Sequence, residues 1–280
     1  MTAAPIHPAM LPADALLTDP ALIRLGVPHA FTTRLGGLST GPFTSLNFGN
    51  PAELPPEVQR DPKPTIEANF ALVARALRAE RRRIIQVHQV HGPDVLVLRR
   101  DSPSPGPAIV WGDHKADALV TDDPGLLVAV RVADCAPILM SSPDGRIVAA
   151  VHAGWRGVVA GVVPHALRAL VELGAGAFTV DQVAAAVGPC IGPHAFEVGP
   201  EVVRAFDGAG LADAVTLRDA ATGKAHAHLA DAVRLQLEHA GVRGVHVLGR
   251  CTAAHPDLFF SHRRDRGVTG RMVGVIGPRG

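Results

Sequence analysis

Short apolar runs rich in Val and Ile recur along the chain and set its expected elements. IIQVHQV (84–90), VLVL (95–98), LLVAVRV (126–132) and the stretches 138–140, 147–151, 183–187, 244–248 and 271–276 read as strands, because β-branched residues fit a pleated, half-buried surface. Segments 28–33 and 44–48 read as two further short strands joined by a Gly-rich turn. A helical period appears in three places. Ile66, Phe70, Val73 and Leu77 share one face of a helix that Thr65 can cap and that runs to about Glu80. A second helix covers about 158–173. A third covers 228–240, where Leu229, Val233, Leu237 and Ala240 share a face and Gly241 supplies the stop. Strands outnumber helices and include at least one hairpin. The pattern therefore predicts an α/β (α+β) class, with mixed, largely antiparallel sheets packed with helices instead of a doubly wound parallel sheet. Pro and Gly are scattered, no repeat appears, and SPSPGP at 102–107 is the longest biased tract. Residues 1–280 are expected to form a single domain, with 1–20 a peripheral N-terminal extension.

The expected hairpin lies in VADCAPILMSSPDGRIVAAVHAGWRG (132–157). SPDG is a turn signal, with Pro fixing φ at its second position and Gly closing it, so the flanking runs should pair antiparallel. Centring the turn between Pro143 and Asp144 sets Cys135 directly opposite His152, with Cβ atoms about 4.5–5.5 Å apart on one face of the sheet. Pro137 cannot donate to the ladder and is placed to force a bulge that slips the register by one. A facing Cys/His pair is compatible with plain packing, with a thiolate–imidazolium nucleophile, or with a zinc ion held at about 2.3 Å from S and about 2.1 Å from N. His88 and His91 have opposite parity on a strand, so only one can face a given site, and His91 beside Gly92 is the more accessible. His91, Cys135 and His152 would make a His2Cys set with an open fourth position, the ligand arrangement of catalytic zinc.

Composition narrows the remaining choices. With 27 basic and 26 acidic residues the chain has no electrostatic footprint for nucleic acid or an anionic membrane, so neither is an expected partner. Three cysteines, at 135, 190 and 251, do not make a disulfide framework, and a reducing cytoplasm fits them. The N-terminus lacks the basic and apolar regions of a secretion signal, and no apolar run is long enough to span a membrane. Arginines with glycine neighbours recur around Arg34, Arg156 and Arg264, and a planar guanidinium beside an approachable backbone suits a phosphate. Cys190, in GPCIGP, and Cys251 read as structural.

Six ordered segments resemble the YfiH family, described as laccase-domain or polyphenol-oxidase-like proteins and as purine nucleoside phosphorylases. They are FTTRLGGLSTGPFTSLNFG (31–49), QVHG (89–92), ADALVTDDPGLLVAVRVADCAPILM (116–140), VHAGWRGVVAG (151–161), GPCIGPHAFEVG (188–199) and FFSHRRDRGVTGRM (259–272), and they span nearly the whole chain. The resemblance implies a single domain of the cysteine-hydrolase toxin-like fold and one zinc held by His91, Cys135 and His152. It also implies phosphorolysis of adenosine and inosine, with 5′-methylthioadenosine as a further substrate and adenosine deamination as a side reaction. The chain departs from the family in GPHAF, where many relatives carry a second cysteine, and in Arg266.

On that reading the partners are a purine nucleoside and phosphate, and the protein is a monomer or small homo-oligomer. Arg34, Arg156, Arg264 and Asn47 are the candidates for holding substrate and phosphate. Asp134 is the candidate acid/base, although its alternation points it away from Cys135. Two other activities compete: a copper-dependent (Cu2+) phenol oxidase, and a cysteine amidase or hydrolase acting on cell-wall precursors through Cys135 and His152.

Overall fold

The computed structural model describes residues 11–101, 109–217, 219 and 221–280, so SPSPGP and the first ten residues lie outside it. In chain order the strands are β1 (Leu16–Leu17), β2 (His29–Thr32), β3 (Arg83–His88), β4 (Val95–Leu98), β5 (Ile109–Lys115), β6 (Ala118–Thr121), β7 (Leu126–Val132) and β8 (Ala136–Ser141). They continue with β9 (Val148–Ala153), β10 (Ala184–Val187), β11 (Glu197–Val198), β12 (Val215–Leu217), β13 (Ala225–Ala227), β14 (Gly244–Val247) and β15 (Met272–Ile276). The helices are α1 (Pro20–Arg24), α2 (Lys63–Ala76), α3 (Trp155–Val159), α4 (Val162–Leu173), α5 (Pro200–Gly208) and α6 (Leu229–His239).

Two six-stranded sheets, ordered β1-β2-β15-β7-β3-β5 and β14-β10-β8-β9-β6-β4, accompany a three-stranded one, β11-β13-β12. Parallel pairing is confined to β3 with β5 and β7, β4 with β6, and β10 with β14, so the sheets are mixed and mainly antiparallel, in one α+β domain, as the pattern predicts. The two large sheets stack face to face, and strand alternation sorts their residues into layers. Val128 and Val130 of β7 share the inter-sheet core with Leu119, Leu139 and Ala150. Leu127 and Ala129, one residue out of step, pack on the other face with Phe70 and Val73 of α2. Ile138, Met140, Ala149 and Val151 likewise face away from the inter-sheet core, toward Val163, Leu167 and Leu170 of α4 and Val233 and Leu237 of α6. Strands covered on both faces must be apolar almost throughout, which is why β7 to β9 read as continuous runs.

Several boundaries differ from expectation for local reasons. Thr65 does not cap α2; Pro62 precedes it and Thr65 is already inside the first turn, with Pro64 in a position that needs no N–H. The single helix expected over 158–173 breaks into α3 and α4 at Gly161, whose φ of +85° is left-handed. Residues 44–48 are not a strand; Ser45 and Leu46 both donate their N–H groups to the Arg34 carbonyl, closing a loop that buries Leu46 and Phe48. Residues 13–20, expected within a peripheral extension, carry edge strand β1 and Asp19, which caps α1 through Ala21 and Leu22 and is almost fully buried. Among the described residues no helix is long and apolar enough to cross a membrane.

The hairpin forms, but two residues out of the expected register. Gly145 donates to the Ser142 carbonyl and Ile147 to the Ser142 hydroxyl, so the loop holds Pro143 to Arg146 and centres between Asp144 and Gly145. Pro137, not Cys135, then stands opposite His152, and β8 pairs with β9 without a bulge. A slip of two keeps every side chain on its face.

The loop before α2 hangs on a buried polar network. Asn69 donates to the Ser39 hydroxyl and the Asn47 carbonyl and accepts from Leu38, while Ser39 and Asn47 donate to Asp61. Asn69→Ala leaves these buried partners unsatisfied and should lower stability by about 1–3 kcal/mol. The check is a reduced urea midpoint with unchanged m-value; an unaltered midpoint would show the network to be dispensable.

Candidate metal centre

Two loops and the end of a strand converge at one end of the sheets. His91 follows β3 with a left-handed φ of +60°, Cys135 closes the bend between β7 and β8, and His152 is the penultimate residue of β9. Their ligand atoms lie within 4.8 Å of one another; Cys135 Sγ is 3.9 Å from His91 Nε2, and the two imidazoles meet edge to face at 4.8 Å between centroids. A tetrahedral ion with S and N ligands sets those donors roughly 3.3–3.6 Å apart. The Cys135–His91 pair is close to this spacing, the rest of the group would close inward on an ion, and a thiolate with two imidazoles is a donor set that zinc takes, so the residues present fit such an ion.

Asp117, absent from the sequence-level candidates, organises the group. Fully buried just before β6, its carboxylate accepts 2.7 Å from His152 Nδ1 and 2.8–3.0 Å from the backbone N–H groups of Val90, His91 and Gly92. The Nδ1 bond leaves His152 Nε2 for the ion, and the three backbone bonds hold the His91 loop in its left-handed turn. Burial works against the Asp117 charge, but His152 and the N–H groups outweigh it and hold the carboxyl below its ordinary range. Gly154 is a glycine for want of space: a Cβ there would stand 2.9 Å from both Cys135 Sγ and His91 Cδ2.

Charge in the centre is coupled. Burial pushes the Cys135 thiol up, but His152 and then His91 prevail and bring it down to about 6. For His152 burial favours the neutral ring, yet the Cys135 thiolate and Asp117 raise it to about 9. The metal-free site at neutral pH is thus a thiolate–imidazolium pair oriented by a carboxylate.

The three residues open into a cleft of about 650 Å³ lined also by Asp134, Trp155, Arg156, Phe196, Leu229, Arg263, Arg131 and Arg271. Of the sequence-level candidates, Arg156 lines it, stacked on Trp155 at 4.4 Å. Arg34 and Arg264 are not among its lining residues. Arg34 donates to the carbonyls of Thr44 and Pro256, and Arg264 to Asp265 and the carbonyls of Thr252 and Phe259. Asn47 is buried and receives the Arg271 N–H. Asp134 reaches the cleft, but its carboxylate accepts from the Thr252 hydroxyl at 2.6 Å and the Arg263 N–H at 2.7 Å, and its carbonyl from Ile191. These bonds fix the bend that presents Cys135, with Asp134 at φ +85°.

A raised His152 pKa means that at neutral pH the proton must leave before an ion binds. Zinc affinity, measured by chelator competition, should rise about tenfold per pH unit from about 6 and level off above about 9, where the imidazole is already neutral. A flat profile would contradict the coupled pair. Asp117→Asn keeps the shape but loses the charge, and should weaken zinc binding about 10–100-fold in the same assay.

The chain is similar to known proteins along most of its length. A family model described as "Multi-copper polyphenol oxidoreductase laccase" matches residues 28–279. The chain is 41% identical over 256 residues to a purine nucleoside phosphorylase of Deinococcus radiodurans, covering 91% of each, and 35% identical to purine nucleoside phosphorylase YfiH of Escherichia coli, covering 90% of this chain and 93% of that one. The crystal structure of YlmD from Geobacillus stearothermophilus superposes with a TM-score of 0.79 at 32% identity, over 97% of this chain and 100% of that one. The chain belongs to the YfiH family, whose model carries the laccase description and whose named relatives here are purine nucleoside phosphorylases.

Proposed function

We propose that the protein is a zinc-dependent purine nucleoside phosphorylase that converts adenosine or inosine, and 5′-methylthioadenosine, to free base and sugar 1-phosphate, with adenosine deamination as a side activity. The observation that carries the reading is a His91–Cys135–His152 group opening into a cleft lined by arginines and apolar side chains. Phosphorolysis forms a bond from a phosphate oxygen to C1′ and breaks the C1′–N9 bond, whose electron pair leaves with the base, and the base takes up the proton that the phosphate loses. Arginines lining the cleft neutralise the phosphate and hold it against C1′, while Phe196, Ile191 and Leu229 provide apolar wall for a purine. His91, Cys135 and His152 would hold a zinc ion, which would supply Lewis acidity beside the reacting groups. Zinc is preferred to copper because phenol oxidation by a multi-copper enzyme needs several copper centres, whereas among the described residues a single His/Cys group has ligand spacing. A reducing cytoplasm suits a site that needs its Cys135 thiolate, and a monomer or small homo-oligomer is the expected state.

One observation favours a second reading. Cys135, His152 and Asp117 form a nucleophile–base–carboxylate series, the arrangement of a cysteine hydrolase. Zinc and an acyl group would compete for the same sulfur.

Incubation with inosine and phosphate should release hypoxanthine and ribose 1-phosphate, and Cys135→Ala should lower turnover at least about 100-fold together with bound zinc. No base released in the presence of phosphate, together with an acyl adduct trapped on Cys135, would favour the cysteine hydrolase.

A further inference from the structure

Arg131 and Arg271 are brought together by strand pairing. Arg131 lies opposite Val273 on adjacent antiparallel strands, and Arg271, two residues before Val273, falls on the same face. Gly49 packs against both: a Cβ there would stand 3.2 Å from Arg131 Cδ and 3.8 Å from Arg271 Cγ. Each arginine is anchored by its backbone and through its guanidinium. Gln89 donates to the Arg131 carbonyl and accepts from its N–H, and Arg131 Nη2 reaches the Val87 carbonyl. Arg271 donates its N–H to Asn47 and its Nη1 to the Thr269 and Gly270 carbonyls. Its Nε and Nη2 have no acceptor, and its guanidinium no ion-pair partner, among the described residues. Burial lowers both guanidiniums, and for Arg131 the charge of Arg271 adds to the effect. Two guanidiniums held side by side in one wall repel each other; the Cys135 and Asp134 charges act in favour of the Arg271 cation, and an oxyanion bridging the two arginines would relieve the repulsion further. Both line the cleft that contains Cys135. The other cleft arginines are placed differently: Arg156 lies on Trp155, and Arg263 Nη1 reaches the Ala195 and Glu197 carbonyls.

We infer that Arg131 and Arg271 form a subsite for a tetrahedral oxyanion, inorganic phosphate, with Gly49, Asn47 and Gln89 as positioning residues that set the two guanidiniums. The assignment rests on the phosphorylase reading for its ligand and on this pairing for its place. It moves the phosphate from Arg34 and Arg264 to Arg131, which has no glycine neighbour, and to Arg271, which follows Gly270.

The experiment is calorimetric titration of the zinc-loaded protein with inorganic phosphate alone, with inosine alone and with inosine 5′-monophosphate. The variants are Arg131→Gln, Arg271→Gln and Arg271→Lys, with Arg100→Gln, outside the cleft, as control. Each is first checked by thermal melting. Phosphate affinity should fall at least about tenfold in each Gln variant and less in Arg271→Lys, which keeps the charge but not the fork, while inosine affinity stays within about twofold of the parent. The monophosphate should bind the parent no more tightly than inosine. Phosphate binding unchanged in both Gln variants overturns the subsite, and so does loss of monophosphate binding with free phosphate binding intact, which would make it a nucleotide pocket. Turnover separates this assignment from the parent reading. A protein that binds phosphate through these arginines but cleaves no nucleoside refutes the phosphorylase alone; one that cleaves with an unchanged phosphate KM in the variants refutes the subsite alone.

Discussion

The bond between Asp117 and His152 is the constraint on which the site depends. One carboxylate, taken wholly out of solvent, fixes the tautomer and direction of an imidazole on β9 and gathers three successive N–H groups from the loop that carries the other histidine. Removing water from a carboxylate is expensive, and four hydrogen bonds offset it. In exchange, two ligands from strands of different sheets are set by a single rigid anchor. The cysteine is set separately, through the bonds that Asp134 makes to Thr252, Arg263 and Ile191. Rigid anchoring of both kinds matters because a ligand set already gathered at one point needs little rearrangement to close on an ion.

The sheets explain why these anchors converge. β7 and β8 are consecutive but lie in different large sheets, and the bend at Asp134 and Cys135 is the crossing point. The loop after β3 and the end of β9 reach the same edge of the stack. A fold whose strands are covered on both faces is hard to deform internally, so its chemistry collects where the layers end, on loops held by buried polar groups.

Much of this was legible in the order of the residues. The strand at 95–98, the helix at 228–240 and the hairpin between 138 and 151 follow from β-branched runs and helical period. Cys135 and His152 still share one site although the turn sits further along than the sequence predicts, because a register slip of two preserves the face and parity alone brings them together. Asp117 was not legible: a lone acid in KADALV looks like any polar residue before a strand, and its partners lie 25 to 35 residues away. Arg131 and Arg271 were hidden for a related reason. Each sits in or beside an apolar run where alternation permits a charged residue, and burial against a second arginine is a property of the sheet. Arg34 and Arg264 drew attention through neighbouring glycine and arginine, yet the structure engages both with backbone carbonyls.

X-ray absorption at the zinc edge of the loaded protein tests the central claim, that the cysteine and two histidines are held ready as one ligand set. The expected spectrum fits one sulfur at about 2.3 Å and two imidazole nitrogens at about 2.0–2.1 Å, with a further light atom at the open position. A shell of oxygen and nitrogen without sulfur would contradict it.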